Sequence, residues 1–223
     1  MSVCPLCATP NATLIYTQPR GPLSGREYYH CEHCQLIHVP KQFHLSAAAE
    51  KSIYDLHQNN PDDSGYRKFL KRLLVPMLER LPKTAQGLDF GCGPGPALAT
   101  LFKEAGFSCC NYDIYYEHVP QRLQRSYDFV VCTEVIEHVA QPQQIFDQLL
   151  ACVKPSGYLG IMTQRWTELA YFKAWQYRND PTHIVFFHER TFHWLATKFA
   201  LDITIYPRDV VIFKTPHTFQ QGQ

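Results

Sequence analysis

The feature that most constrains the fold is the stretch LDFGCGPGPAL, residues 88–98, in which three glycines alternate between two apolar runs. Gly91, Gly93 and Gly95 allow the backbone to turn sharply and let its amides approach a ligand where a Cβ would collide. Pro96 can begin the helix that follows. A strand, a glycine turn and a helix in this order predict an α/β fold with a ligand-binding turn, although several cofactor families and some plain tight turns share the pattern.

Two acidic residues narrow the choice of ligand. Asp113 ends the next apolar segment, about 20 residues beyond the turn, where a carboxylate can accept hydrogen bonds from both ribose hydroxyls. Asp89 lies just before the first glycine, where a carboxylate suits an ammonium and a sulfonium better than phosphates. The two residues together predict a cationic nucleoside.

These motifs resemble those of class I S-adenosylmethionine-dependent methyltransferases. Residues 89–95 match the first motif of that family, Asp113 matches its second-strand acid, and YDFVVCTEVIEHV, residues 127–139, resembles its fourth-strand motif. The resemblance implies a Rossmann-like sheet of seven strands with helices on both faces. It also implies that the glycine turn carries the methionine part of the cofactor. The cofactor-binding residues predicted in this way are Asp89, Phe90, Gly91, Cys92, Gly93, Gly95, Asp113, Ile114, Cys132, Thr133 and Glu134.

One segment departs from that family pattern. Only 13 residues separate Asp113 from Tyr127, where the family fits a helix, a third strand and another helix. Each parallel crossover needs a dozen residues or more. The sequence therefore predicts a sheet that lacks its third strand, in which Tyr115, Tyr116 and the tract to Arg125 cover the adenine.

Paired cysteines indicate a metal site near the start of the sequence. Residues 1–44 contain CPLC and CEHC, a spacing that predicts a zinc ribbon with a structural zinc on Cys4, Cys7, Cys31 and Cys34. The alternatives are four thiols without a metal, and His30 or His33 in place of one sulfur. The other five cysteines are an odd number in apolar contexts, so no disulfide framework is expected.

The remaining chain divides into a helical connector over residues 45–85, a methyltransferase domain over 86–215 and a tail over 216–223. In the connector, apolar residues from Tyr66 to Leu81 recur at helical spacing, which predicts a helix that packs in the core and is kinked at Pro76. No apolar run approaches the roughly 20 residues of a membrane span. Only three residues precede Cys4, so no signal peptide is expected and a cytoplasmic location is predicted.

Two histidines are candidates for the catalytic base. Methyl transfer to a hydroxyl requires alignment of the acceptor and removal of its proton, which a histidine can do. His183 lies in RNDPTHIVFFHER after the predicted fifth strand, and His138 lies one residue after Glu137. The DPTH stretch resembles a bacterial group of zinc-ribbon methyltransferases. The alternative for each histidine is a structural hydrogen-bonding role.

Three functions follow from this sequence. The first is methyl transfer to a small-molecule acceptor. The second is RNA methylation, which the net charge of +1 does not favour because it provides no general attraction for a polyanion. The third is a non-catalytic module that binds the cofactor or docks a protein partner through the zinc ribbon.

Overall fold

The computed structural model describes residues 2–56 and 59–218. Its strands in chain order are β1 (Thr13–Thr17), β2 (Glu27–His30), β3 (Ile37–His38), β4 (Gln86–Phe90), β5 (Ser108–Tyr112), β6 (Tyr127–Thr133), β7 (Val153–Met162), β8 (Arg165–Trp166), β9 (Val185–His188), β10 (Asp202–Ile205) and β11 (Val210–Lys214). The α-helices are α1 (Ala47–Tyr54), α2 (Ser64–Leu78), α3 (Ala97–Glu104), α4 (Pro142–Ala151), α5 (Leu169–Phe172) and α6 (Glu189–Phe199).

Six strands form the central sheet in the order β10-β11-β7-β6-β4-β5. Strands β4 to β7 are parallel, and β10 and β11 close the sheet as an antiparallel hairpin beside β7. Between β5 and β6 the fully described residues 113–126 contain a 3-10 helix, Pro120–Gln124, and no strand of the sheet. The predicted loss of the third strand is therefore confirmed, and β5 becomes an edge of the sheet.

Helices cover both faces of this sheet, as predicted. The side chains of β6 alternate between the two faces because successive residues of a strand point in opposite directions. Phe129 and Val131 pack with the helices α2 and α3, whereas Val130 and Cys132 pack with α4 and α6. The central sheet thus lies between two apolar layers, one on each face.

The N-terminal segment forms a second sheet together with distant residues. The hairpin of β1 and β2 continues through β3 to β9 and β8, giving five strands in the order β1-β2-β3-β9-β8. Ile37 pairs with Phe186 and His38 with Val185, and Tyr28, Trp166 and Phe172 pack in the core of this sheet. The cysteine-bearing segment is consequently joined by backbone pairing to the residues that follow His183.

Several local predictions can be compared with these elements. The helix α2 begins at the side-chain cap of Asp63 and continues through Pro76 to Leu78. The stretch KPSG, residues 154–157, lies within β7, where Ser156 has a φ of 61° and the pairing with β6 shifts register. The domain boundaries stay predictions, and residues 219–223 of the predicted tail lie outside the described residues.

Within the described parts of the chain, no helix has the length and apolar character needed to cross a lipid bilayer.

Candidate active site

A cavity of about 730 Å³ opens at the carboxyl ends of β4, β5 and β6. This is the edge at which open α/β sheets bind ligands, because the loops that leave the parallel strands converge there. The cavity is lined by most of the predicted cofactor residues, namely Asp89, Phe90, Gly91, Cys92, Gly93, Asp113, Ile114, Thr133 and Glu134. Both predicted bases, His138 and His183, line the same cavity.

The glycine turn is packed tightly by two neighbouring residues. Gly91 has a φ of 77° and Gly93 a φ of 66°, in the left-handed region that glycine adopts without strain. A Cβ on Gly91 would lie 2.3 Å from Cγ2 of Val135, and one on Gly95 would lie 2.0 Å from the carbonyl oxygen of Asn59. The turn therefore requires glycine because protein atoms already fill the space around it.

Asp113 connects the glycine turn to the loop after β5. Its Oδ2 accepts a hydrogen bond of 3.0 Å from the amide of Gly93, and its Oδ1 accepts bonds of 2.7 and 3.1 Å from the amides of Tyr115 and Tyr116. A carboxylate offers about four acceptor positions, so three amides leave one for a ligand. Asp113 thus shapes the cavity as well as offering a contact in it.

Two predicted cofactor residues do not line the cavity. Gly95 faces the backbone of Asn59, and Cys132 is fully buried among apolar side chains of the core. The predicted cover of the adenine is also shorter than expected. Tyr115 and Tyr116 line the cavity, but the following tract packs on the sheet edge, where Arg122 donates to the carbonyl of Asn111.

The two histidines form one cluster with a buried carboxyl group. Their ring centroids lie 4.7 Å apart, and ring nitrogens of His138 and His183 lie within 4.8 Å of a carboxylate oxygen of Glu137. His183 Nδ1 is 2.6 Å from the carbonyl of Tyr177, and His138 Nδ1 is 3.2 Å from the carbonyl of Thr182. Because a carbonyl only accepts, both Nδ1 atoms carry hydrogen, and Nε2 is the basic nitrogen of each neutral ring.

The carboxylate of Glu137 is positioned by hydrogen bonds from two hydroxyl groups. Its side chain is fully buried and accepts hydrogen bonds from Thr163 at 3.0 Å and from the hydroxyl of Tyr177. Burial raises the pKa of Glu137, while the neighbouring His183 and these hydrogen bonds lower it. Burial also lowers the pKa of His183, although Glu137 opposes that shift. His183 is therefore neutral at physiological pH, the state in which it can accept a proton.

Glu134 occupies a strained position beside this cluster. It follows β6 directly and has a φ of 51°, and its Oε2 lies 3.2 Å from the hydroxyl oxygen of Tyr177. Burial and the charge of Glu137 raise the pKa of Glu134 to about 9. Left-handed backbone at a residue other than glycine costs free energy and is concentrated at functional sites.

Part of the cavity wall comes from residues that the sequence pattern assigned to the core. Tyr66, Phe69 and Leu70 at the start of α2 line the cavity, as does Tyr54 of α1. Farther along α2, Leu73, Leu74 and Met77 are buried in the core as predicted. The prediction that the stripe packs in the core is confirmed, since Leu70 is buried in the core and Tyr66 and Phe69 pack against it. It did not indicate that these three residues also line a cavity, because a periodic pattern shows which face is covered and not what covers it.

The four cysteines of the N-terminal segment lie together. The sulfur atoms of Cys4 and Cys34 are 3.5 Å apart, as are those of Cys7 and Cys31, which is too far for disulfides. Zinc–sulfur bonds of about 2.3 Å in a tetrahedron place the sulfurs about 3.8 Å apart, close to the observed separation. The donor set fits a zinc ion. His33 accepts instead from the indole of Trp194, and His30 contacts Gln35.

The two cysteine pairs also have the same backbone geometry. In each knuckle the residue after the second cysteine adopts the left-handed conformation, with a φ of 57° at Ala8 and 61° at Gln35. The amide of each of these residues donates to the carbonyl of the first cysteine of its pair, at 3.0 and 2.7 Å. Both knuckles therefore turn their cysteines toward one shared point.

Comparison with known proteins connects this site to a family. A family model described as a methyltransferase domain matches residues 63–204, which is more than half of the chain. Ubiquinone biosynthesis O-methyltransferase from Rickettsia felis is 33% identical over 106 residues, covering 38% of this chain and 43% of that protein. The protein of the same name from Pseudomonas savastanoi is 33% identical over 92 residues, covering 41% and 39%. The chain thus spans less than half of the length of these curated relatives.

Solved structures show the same fold at low identity. A SAM-dependent methyltransferase from Archaeoglobus fulgidus has a TM-score of 0.53 at 20% identity and covers 67% of this chain and 94% of its own. Magnesium protoporphyrin IX methyltransferase from Synechocystis PCC 6803, solved with bound SAH, also has a TM-score of 0.53, at 11% identity, and covers 76% and 94%. The central sheet is accordingly a Rossmann-like methyltransferase fold.

Proposed function

We propose that this chain transfers a methyl group from S-adenosylmethionine to a hydroxyl of a small molecule. The chain belongs to the methyltransferase domain family. It is a SAM-dependent methyltransferase. The observation that carries the proposal is that the glycine turn and the two histidines line one cavity. The named O-methyltransferases among its relatives support a hydroxyl as the acceptor.

The cofactor fits the end of the cavity formed by β4 and β5. S-adenosylmethionine supplies a methyl group already activated by its sulfonium, so the chain has chiefly to bind and align. In this proposal the turn at Gly91 and Gly93 receives the methionine part, Asp113 receives the ribose, and Tyr115 covers the adenine. Asp89, 3% exposed at the floor of the cavity, provides negative charge for a cationic ligand.

The histidines suit the proton transfer that a hydroxyl acceptor requires. The acceptor oxygen forms the new bond to the methyl carbon as the sulfur–carbon bond breaks, and the hydroxyl proton passes to a neutral Nε2. His183 is favoured as this base because the carbonyl of Tyr177 fixes its tautomer and Glu137 stabilises its protonated form. His138, held by Thr182, is the second candidate.

The charge of the cavity does not favour the RNA alternative. No lysine or arginine is present among the described residues that line the cavity. RNA-binding sites neutralise phosphates with such residues, and their affinity then falls steeply as salt rises. The non-catalytic alternative is set aside because the family and the structural relatives are methyltransferases.

The N-terminal segment is proposed to be a zinc ribbon with a structural role. Support comes from the four converging sulfur atoms and from the matching backbone of the two knuckles. A closed set of four thiolates leaves no open position for a substrate, as in structural zinc sites. Docking of a protein partner on this ribbon stays a prediction.

Calorimetry with S-adenosylmethionine and S-adenosylhomocysteine tests the proposed cofactor site. We expect both ligands to bind, and Asp113→Asn to weaken each at least tenfold, because an amide in its place disturbs the contacts of Gly93, Tyr115 and Tyr116. The control is Asp202→Asn, which removes the same charge from an exposed position of β10. Unchanged binding by Asp113→Asn, or equal loss in both variants, would contradict the assignment.

A further inference from the structure

Several carboxyl groups line the cavity. Its lining contains five acidic side chains, Glu50, Asp89, Asp113, Glu134 and Asp180, and its described part contains no lysine or arginine. Arg72, whose charge acts on Glu134, does not line the cavity and is paired with Asp209 at 2.6 Å. The two histidines are the basic groups left to offset this negative charge, and His183 is held neutral by its burial.

Three of the five carboxyl groups lie at the cofactor end or accept hydrogen bonds from tyrosines. Asp89 and Asp113 lie at the cofactor end, in β4 and directly after β5. Glu50 accepts hydrogen bonds of 3.0 Å from the hydroxyls of Tyr54 and Tyr115. The charge of Asp89 and Asp113 suits the sulfonium and ammonium of the cofactor, whereas Glu50 adds negative charge next to Tyr54.

The other two carboxyl groups face the position of the acceptor. Asp180 Oδ2 lies 4.0 Å from Nε2 of His183, while its Oδ1 accepts from Thr182. Glu134 Oε1 is buried and has no hydrogen-bond partner among the described residues. An unpartnered buried oxygen costs free energy, and a ligand that donates a hydrogen bond to it removes that cost. Because the pKa of Glu134 is raised to about 9, this carboxyl is largely uncharged at neutral pH and offers a hydrogen bond and no charge.

Aromatic side chains form part of the cavity wall. Tyr54 contacts the ring of His138, with centroids 5.4 Å apart, and the rings of Tyr66 and Phe69 stack at 6.1 Å. Flat apolar molecules and cations both bind favourably against aromatic faces. An anion gains nothing from such faces and is repelled by the carboxylates beside them.

We infer, resting on the proposed function, that the acceptor is an uncharged or positively charged aromatic molecule, and that the cavity rejects acceptors that carry a phosphate or a carboxylate. Recognition then consists of stacking on Tyr54, Tyr66 and Phe69, with the carboxylate of Asp180 favouring a cation and the uncharged carboxyl of Glu134 accepting a hydrogen bond. Selection against anions arises from the carboxylate of Asp180, 4.0 Å from Nε2 of His183, and from that of Glu50, which is hydrogen-bonded to Tyr54.

Three phenols that differ in charge test this inference. Tyramine, p-cresol and 4-hydroxyphenylacetate share one hydroxyl and one ring and carry a positive, no and a negative charge. Binding of each is measured by calorimetry to the full chain saturated with S-adenosylhomocysteine. We expect 4-hydroxyphenylacetate to bind at least tenfold more weakly than p-cresol, and tyramine at least as tightly as p-cresol.

The substitution Asp180→Asn removes the negative charge of this side chain and keeps its size, so it distinguishes an effect of charge on ligand binding from an effect of cavity shape. This variant should weaken tyramine severalfold, strengthen 4-hydroxyphenylacetate and leave p-cresol unchanged, whereas the exposed control Asp202→Asn should change none of them. Equal affinity for all three phenols, preference for the anion, or no binding of any phenol would overturn the inference. Because S-adenosylhomocysteine binding is measured first, its absence would instead show that the proposed function fails.

Discussion

The guanidinium of Arg26 donates a hydrogen bond to the main-chain carbonyl of His183. The same side chain, only 2% exposed, also reaches the carbonyls of Asp180 and Pro181 at 3.3 Å. Arg26 immediately precedes β2 of the cysteine-bearing segment, and Val39 after β3 donates to the carbonyl of Ile184 at 2.8 Å. The segment that carries His183 is thus fixed by residues more than 140 positions away in the sequence.

Arg26→Lys should disturb His183 without disturbing the cofactor site. A lysine cannot contact three carbonyls at once, and a buried carbonyl left without a donor costs about 1–3 kcal/mol. We expect a loss of stability of that size and a pKa of His183 closer to its ordinary value, measured by chemical denaturation and by NMR titration. Affinity for S-adenosylhomocysteine should stay within about twofold of the original, because the hydrogen bonds of Arg26 go to Asp180, Pro181 and His183 and not to the glycine turn.

The exposed Arg190 provides the matched control for that substitution. Arg190→Lys should leave both the stability and the titration of His183 unchanged. An unaltered titration of His183 in Arg26→Lys would show that the contact stabilises the fold and does not position the histidine.

Metal removal should destabilise the N-terminal sheet. We expect about one zinc ion per chain by elemental analysis, and Cys31→Ser should reduce that content because a tetrahedral site needs all four thiolates. The loss should spread to the His183 segment through the pairing of β3 with β9. Cys110→Ser, outside the cluster, is the control and should keep both the metal and the melting temperature. Full metal content in Cys31→Ser would rule out the proposed ligand set.

Cofactor affinity should increase with pH. Burial, with the charge of Asp113 adding to it, raises the pKa of Asp89 to about 7, so this carboxyl is largely protonated at pH 6 and ionised at pH 8. A cationic ligand gains from the ionised form, and affinity for S-adenosylmethionine should rise by at most about tenfold for each pH unit. S-adenosylhomocysteine lacks the sulfonium and should show a weaker trend. A pH trend that persists in Asp89→Asn would assign the effect to another group, such as Glu134.

Loss of the base should slow methyl transfer and not cofactor binding. His183→Asn is expected to reduce the rate of methylation of p-cresol by about a hundredfold or more, the usual contribution of a positioned base. In the unaltered chain the rate should fall with decreasing pH only below 6.5, since burial lowers the pKa of His183 and the base must be neutral. His193→Asn, on the exposed face of α6, is the control. Equal rates in the two variants would move the role to His138.

Gly91→Ala should damage the cofactor turn through a steric clash. The backbone at Gly91 is left-handed, and a Cβ would lie 2.3 Å from Cγ2 of Val135. Gly106 has a similar backbone, with a φ of 87°, but a Cβ there would meet nothing within 4 Å. Gly106→Ala should therefore cost only the conformational strain of about 1–2 kcal/mol. Gly91→Ala should cost more and abolish cofactor binding, and partial rescue by Val135→Ala would confirm the clash.

The local parts of this fold could be predicted from sequence and the long-range parts could not. The glycine turn, Asp113 and the absence of a strand after it depend on short patterns and on chain length, which are visible in one sequence. The pairing of β3 with β9 and the contact of Arg26 with His183 join residues that are far apart in the sequence. Such contacts cannot be predicted from the local pattern of apolar and polar residues. The second role of Tyr66, as a residue that lines the cavity as well as packing on the core, could not be predicted for a related reason, because an apolar stripe has the same pattern against a core and a cavity.

The missing third strand has a consequence for the behaviour of the protein at high concentration. It leaves β5 at the border of the central sheet, and an uncovered border strand can pair with a strand of another molecule and begin aggregation. The short tract after β5 covers part of this edge strand, because Arg122 donates a hydrogen bond to the carbonyl of Asn111 in β5. The same tract begins with Tyr115 and Tyr116 at the cavity. A deletion in the tract after β5 would therefore be expected both to increase aggregation and to disrupt the ligand site.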